Sequence, residues 1–193
     1  MRDIEAAQRL RDRLGGIAIG HQVRRTFMFT DIVDSTRLVA EMGDVRWSTV
    51  LHTHDRTIRD LLGSHGGSEV KQRGGGDGFF AVFTSPTNAI DCAVAIQRRF
   101  AEQRSTHAFA PEVRIGVHEA DALLSGSDYA GLGVHEAARI GALAEAGEIL
   151  ASTTTVSAAG AAPGTPVREV SLKGLTDRLA IQEIAWIFAP PGG

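Results

Sequence analysis

The chain has 193 residues, 43% of them hydrophobic and 22% charged, with 20 Lys and Arg against 23 Asp and Glu for a formal net charge of -3. That length suits one domain with a real core, and that composition excludes a disordered or fibrous class. The near balance of charge provides no basic field to draw nucleic acid or an anionic membrane, and no apolar run approaches the ~20 residues that a membrane span needs.

In chain order, residues 1–20 read as a charged amphipathic leader or linker helix closed by Gly15-Gly16, outside the core. Thr26 to Thr30 reads as a short strand ending at Asp31, and Asp34-Ser35-Thr36 offers N-cap chemistry to the helix that follows. From about Thr36 to Leu62 apolar residues recur at spacings of three and four, as on an amphipathic helix, and Gly43 is placed to divide it. Ser68 to Arg73 and Phe79 to Thr84 read as two strands joined by the glycine-rich turn of VKQRGGGDGFF (residues 70–80), which puts Asp77 at a hairpin tip.

A further helix is expected from Ser85-Pro86-Thr87 to about Gln103, with Ala89, Ala93, Ile96 and Phe100 on one stripe and the single cysteine, Cys92, buried beside them. One cysteine cannot close an internal disulfide, which suits a reducing cytoplasm. Val113 to His118 reads as a strand, 119–128 as a turn-rich excursion, and the stretch from Tyr129 to Ala144 as carrying a helix that is stopped by Gly147. Closing strands are expected at Glu148 to Ala151, Val167 to Leu172 and Leu179 to Ile187, with a loop from Ala158 to Pro166 and a frayed tail at 189–193. The order implies an α+β domain over 21–188, its mostly antiparallel sheet covered by helices.

Two carboxylates stand out, because Asp31 closes a strand and Asp77 sits on a turn, each beside small or hydroxylated residues. Neighbouring strands lie ~5 Å apart, so on adjacent strands the pair would reach one pair of divalent ions, as two-metal phosphoryl chemistry requires. Taken singly, Asp31 is equally an N-cap or Asx-turn residue and Asp77 a hairpin-turn residue. The glycines between them and the preceding strand permit close backbone approach to phosphate oxygens.

The segment Phe29-Thr30-Asp31-Ile32-Val33-Asp34-Ser35-Thr36 resembles the metal-binding segment F-T-D-I-x-x-S-T of the class III nucleotidyl cyclases, and Gly76-Asp77-Gly78-Phe79 resembles their second metal motif. Arg114 to His118 is similar to the family's central strand, Asp128 to Gly131 and Ala137 to Ile140 to its substrate segment, and Leu172-Lys173-Gly174 to its late lysine motif. The matches keep the family's order from about Arg25 to Ile187. The resemblance implies a ferredoxin-like nucleotidyl cyclase fold, a head-to-tail homodimer with interfacial active sites, and two Mg2+ or Mn2+ ions held by Asp31, Asp77 and the Ile32 carbonyl. It implies conversion of ATP to 3′,5′-cyclic AMP and pyrophosphate, with Arg139 on the transition state and Lys173 on the phosphates.

Base choice follows from hydrogen-bond polarity: an acidic acceptor with a lysine donor selects adenine over guanine. Asp128 occupies the family's acidic position. The family's lysine lies four residues before the hairpin aspartate, where this chain has Arg73, while Lys71 lies six before. Either a glycine insertion lengthens the turn and Lys71 reads the base, or Arg73 takes its place; Glu69-Val70-Lys71 favours the former, with Gly76 against the substrate. Four residues before Arg139 the family commonly has a ribose-orienting asparagine; here it is His135, which donates a hydrogen bond but is bulkier. His118 reads as a structural strand-end residue, and the seven histidines show no H-E-x-x-H spacing.

Competing readings are a low-activity or degenerate cyclase domain that binds nucleotide as a regulatory module, and a guanylate cyclase. Arg73 to Phe79 also resembles the R-x-G-G-D-E-F signature of diguanylate cyclases, but Gly78 replaces its glutamate, and that scheme has no place for the F-T-D-I segment, Arg139 or Lys173.

Overall fold

The computed structural model describes residues 20–70, 77–106, 109–161, 167–171 and 178–187. The expected leader, the hairpin tip with Lys71, Arg73 and Gly76, the Lys173 segment and the tail lie outside them.

The described elements are β1 (His21–Ile32), α1 (Ser35–Met42), α2 (Asp44–Ser64), β2 (Ser68–Glu69), β3 (Phe79–Phe83), α3 (Pro86–Thr106), β4 (Val113–Ser125), β5 (Asp128–Ala130), α4 (Leu132–Leu143), β6 (Ile149–Ser152), α5 (Thr153–Ala159), β7 (Arg168–Ser171) and β8 (Arg178–Glu183). The strands form one sheet in the order β2-β3-β1-β4-β6-β8-β7, with β5 paired to β4. β4 and β6 run parallel and the other pairs antiparallel. The expected α+β architecture is the one observed.

Side-chain alternation with period two sorts the central strands onto two layers. Met28, Phe79, Ala81 and Phe83 face one core with Ile58 and Leu62 of α2 and the apolar stripe of α3. Phe27, Phe80 and Val82 face the other with Ala122 and with Ala137 of α4, and Phe29 packs there partly exposed. Phe29 stacks on Phe80 at 4.5 Å. Cys92 is buried in the first layer, where burial pushes its thiol up to about 12.

Several boundaries differ from the sequence reading. β1 begins at His21 rather than Thr26, and β4 runs on to Ser125 through the stretch read as an excursion. Twelve continuous pairs, from His21↔Leu124 to Ile32↔Val113, stabilise both extensions through ladder bonds that local composition does not report. The turn is confined to Gly126-Ser127, with Gly126 at φ 63. Helix α5, unforeseen from its sequence, occupies Thr153–Ala159, with the Ser152 side chain accepting from the Thr155 N–H at its N-cap. Asp34 does stand at the N-cap of α1 but in the left-handed region, φ 55, without a side-chain cap bond; its carboxylate lies 3.4 Å from Arg37. β8 ends at Glu183, short of Ile187.

Candidate active site

The register of β1 and β3 assembles the two aspartates. Thr30 pairs with Phe79, so Asp31 lies beside Gly78 and the turn residue Asp77. The Phe79 N–H donates to the buried Thr30 hydroxyl at 3.2 Å, tying the hairpin end to β1 one residue before Asp31. Gly78 is required sterically: a Cβ there would stand 2.4 Å from the Thr30 carbonyl oxygen and 3.5 Å from Asp31 Oδ1. The hairpin base is held by Arg59 of α2, which donates to both Glu69 carboxylate oxygens, at 2.8 and 3.3 Å, and lies 5.0 Å from the Phe79 ring centroid.

Asp31 and Asp77 line one cavity of about 340 Å³ together with Phe29, Thr30, Gly78 and Arg114, and with Ala138, Gly141 and Ala142 of α4. Helix α4 reaches this position because it lies directly on β4: a Cβ at Gly116 would stand 2.1 Å from the Gly141 nitrogen. Only a backbone without side chains permits that approach. Small residues at 138, 141 and 142 leave the space above the carboxylates open.

Asp77 Oδ2 is buried and has no hydrogen-bond partner among the described residues. A buried carboxylate oxygen without a donor is costly, so a cation fits this position. Among the described residues no group of three His, Cys, Asp or Glu side chains gathers as a metal cluster. The donor set is thus a carboxylate pair, open to oxygens from a phosphate group.

Arg114 enters the sequence reading only as the first residue of a strand motif, without a role of its own. Across β1 and β4 it pairs with Asp31, and its Nε donates to Asp31 Oδ2 at 2.9 Å while Nη2 donates to the same oxygen. Its only sequence signal is a cation at the start of a strand, and register alone sets it against Asp31.

The remaining positions are spread out. Ile32 ends β1 and is buried. His135 and Arg139 lie one turn apart on α4, His135 exposed and Arg139 half-buried with its Nη1 lacking a partner among the described residues. Neither lines the Asp31 cavity. Asp128 starts β5, exposed, and pairs with Ser125 at the far end of β4 from Arg114. At ~3.3 Å per residue, a straight β4 would separate positions 114 and 125 by roughly 36 Å.

His118, expected at a strand end, sits in mid-strand. It is 5% exposed and bonded to Ser152 Oγ through Nδ1 at 2.8 Å and to Glu136 of α4 through Nε2 at 3.2 Å. Burial lowers its pKa, against the opposing pull of Glu136. The neutral ring therefore donates from Nε2–H to the carboxylate and accepts at Nδ1 from the Ser152 hydroxyl. The Thr155 hydroxyl lies 2.6 Å from Ser152 Oγ and accepts from the Glu119 N–H at 2.8 Å, so α4, β4, β6 and α5 share one polar network.

The adenylate and guanylate cyclase catalytic domain model matches residues 21–182, and the chain belongs to this class III cyclase family. A putative adenylate cyclase of Rhizobium meliloti (strain 1021) is 32% identical over 127 residues, covering 63% of this chain and 21% of that protein. An uncharacterized protein of Mycobacterium tuberculosis (strain ATCC 25618 / H37Rv) is 30% identical over 131 residues, covering 67% of this chain and 43% of its own. The chain thus spans less than half the length of these relatives. Among solved structures, the guanylyl cyclase Cya2 superposes with a TM-score of 0.74 at 23% identity, covering 89% of this chain and 96% of that one. The adenylyl cyclase CyaB from P. aeruginosa gives 0.71 at 21%, covering 86% and 96%. These structural likenesses establish the fold. No helix among the described residues is long and apolar enough to cross a membrane.

Proposed function

We propose that this domain is an adenylate cyclase, converting ATP to 3′,5′-cyclic AMP and pyrophosphate at sites shared between two copies of the chain. The observation that carries the reading is the pair Asp31 and Asp77, brought from the end of β1 and the turn before β3 onto one cavity, with Asp77 Oδ2 lacking a donor among the described residues. Asp31, Asp77 and the Ile32 carbonyl are the groups to hold two divalent cations, Mg2+ or Mn2+. Bound cations would supply Lewis-acid activation of the ribose 3′-hydroxyl and neutralise the triphosphate.

The remaining work is positional and electrostatic, since the substrate's own hydroxyl attacks its α-phosphorus and pyrophosphate leaves. Arg139 is the group to meet charge on the pentavalent phosphorus, and its Nη1, without a partner among the described residues, is a donor available for that role. His135, one turn earlier, is placed to orient the ribose. Asp128 accepts from the adenine 6-amino group and disfavours guanine. Lys173 for the phosphates, and Lys71 or Arg73 with Gly76 near the base, complete the set. The separation of Asp128 from Asp31 along β4 supports a site built from two chains, each supplying half. Exposed Leu123 and Leu132, either side of β5, suit that partner surface.

Purified protein incubated with labelled ATP or GTP and each cation, beside Asp31→Ala, tests the reading. Cyclic AMP formation that Asp31→Ala abolishes is expected. No cyclic product above the mutant background would favour a nucleotide-binding regulatory module, and a preference for GTP would overturn the assignment of Asp128 and Lys71.

A further inference from the structure

We propose that Arg114 is a tethered counter-ion that occupies Asp31 until a divalent cation displaces it, so that cation loading competes with this guanidinium. The inference rests on reading Asp31 as a cation ligand, and its test reads cation binding rather than turnover.

Three observations converge. First, both Arg114 contacts, from Nε at 2.9 Å and from Nη2, fall on Asp31 Oδ2. A guanidinium held by two charge-assisted bonds to one oxygen fills much of the coordination space around it. Second, the pair is imposed by the fold: Asp31 and Arg114 are cross-strand partners on β1 and β4, and both line the cavity that Asp77 lines. Third, the ion pair is open to exchange. The Arg114 and Asp31 side chains are 33% and 39% exposed, so water can take over each released group at little cost.

Charge count gives the direction. The described ionised side chains lining the cavity are Asp31, Asp77 and Arg114, two anions and one cation. An arriving divalent ion must share Asp31 with a fixed positive charge or drive it off. Release means a change of rotamer, after which the guanidinium still faces the cavity, where phosphate oxygens are expected.

The experiment titrates Mn2+ into nucleotide-free protein and follows free Mn2+ by its EPR signal, in wild type, Arg114→Gln and Asp31→Asn. Removing the competitor is expected to tighten binding roughly 5- to 10-fold, the scale of a partly exposed charge-assisted pair. Asp31→Asn is expected to weaken it by at least as much. Unchanged or weaker binding in Arg114→Gln, or no binding in either protein, would overturn the proposal. Mn2+ binding indifferent to Asp31→Asn would instead overturn the assignment of Asp31 as a ligand. Should Arg114→Gln fold poorly, the wild type answers alone: in 15N spectra the Arg114 Nε–H signal should shift toward that of a free guanidinium as Mg2+ is added. A signal that stays in place while Mg2+ binds would show that the pair is not exchanged.

Discussion

Gly116 and Gly63 show how differently one residue type can act. At Gly116 a methyl group would meet the Gly141 backbone at 2.1 Å, and neither strand nor helix backbone can yield cheaply. Gly116→Ala is expected to cost about 1–3 kcal/mol, read as a lowered urea midpoint, and to lift α4 with Arg139 away from β4, reducing turnover as well. Gly63, in the last turn of α2, has nothing within 4 Å of its added Cβ and an ordinary φ. Gly63→Ala should therefore be neutral or stabilising by up to about 1 kcal/mol in the same assay. A milder effect at 116 than at 63 would contradict the packing described.

At the scale of elements, the network around His118 joins α4 to the sheet and makes that joint sensitive to acid. Glu136, Glu119, Arg24 and Ser152 face the ring, and burial holds its pKa below the ordinary 6.5. A depressed histidine leaves stability level above about pH 6.5. Below it the unfolded chain takes up a proton that the folded chain refuses, so stability falls with pH. His54, stacked on Phe100 at 5.3 Å and likewise lowered by burial, adds in the same direction. Denaturation midpoints at pH 7.5 and 5.5 should therefore drop on acidification. His118→Gln should be less stable at pH 7.5 by about 1–3 kcal/mol yet show a shallower drop. An identical drop would remove His118 from the account.

For the whole molecule the question is whether one chain holds a complete site. Asp31 and Asp77 share a cavity, while Asp128 stands at the opposite end of β4. If two chains complement each other head to tail, Asp31→Ala and Arg139→Ala proteins, each inactive, should recover partial activity when mixed under conditions shown to exchange subunits. At most one intact site forms per heterodimer, so activity above that of either variant alone is the expected reading. No recovery would count against the shared site.

Much of this was legible in the sequence. Strand and helix types follow from periodicity, Gly43 does divide two helices, and the F-T-D-I and G-D-G-F segments single out the two carboxylates that the structure brings onto one cavity. The family match over residues 21–182 agrees with that reading of the chain. Other features are relations between distant segments. The full length of β1 and β4 depends on their mutual ladder, α5 on a cap and on packing, and the Gly116–Gly141 contact on a helix returning over its own strand. The pairing of Arg114 with Asp31 is of the same kind, for these residues are 83 positions apart and meet only through strand register. Sequence by itself determined which chemical groups the chain carries and the local periods that shape its elements. Tertiary structure alone decided which of those groups face one another, because register and packing are properties of paired segments and not of either one.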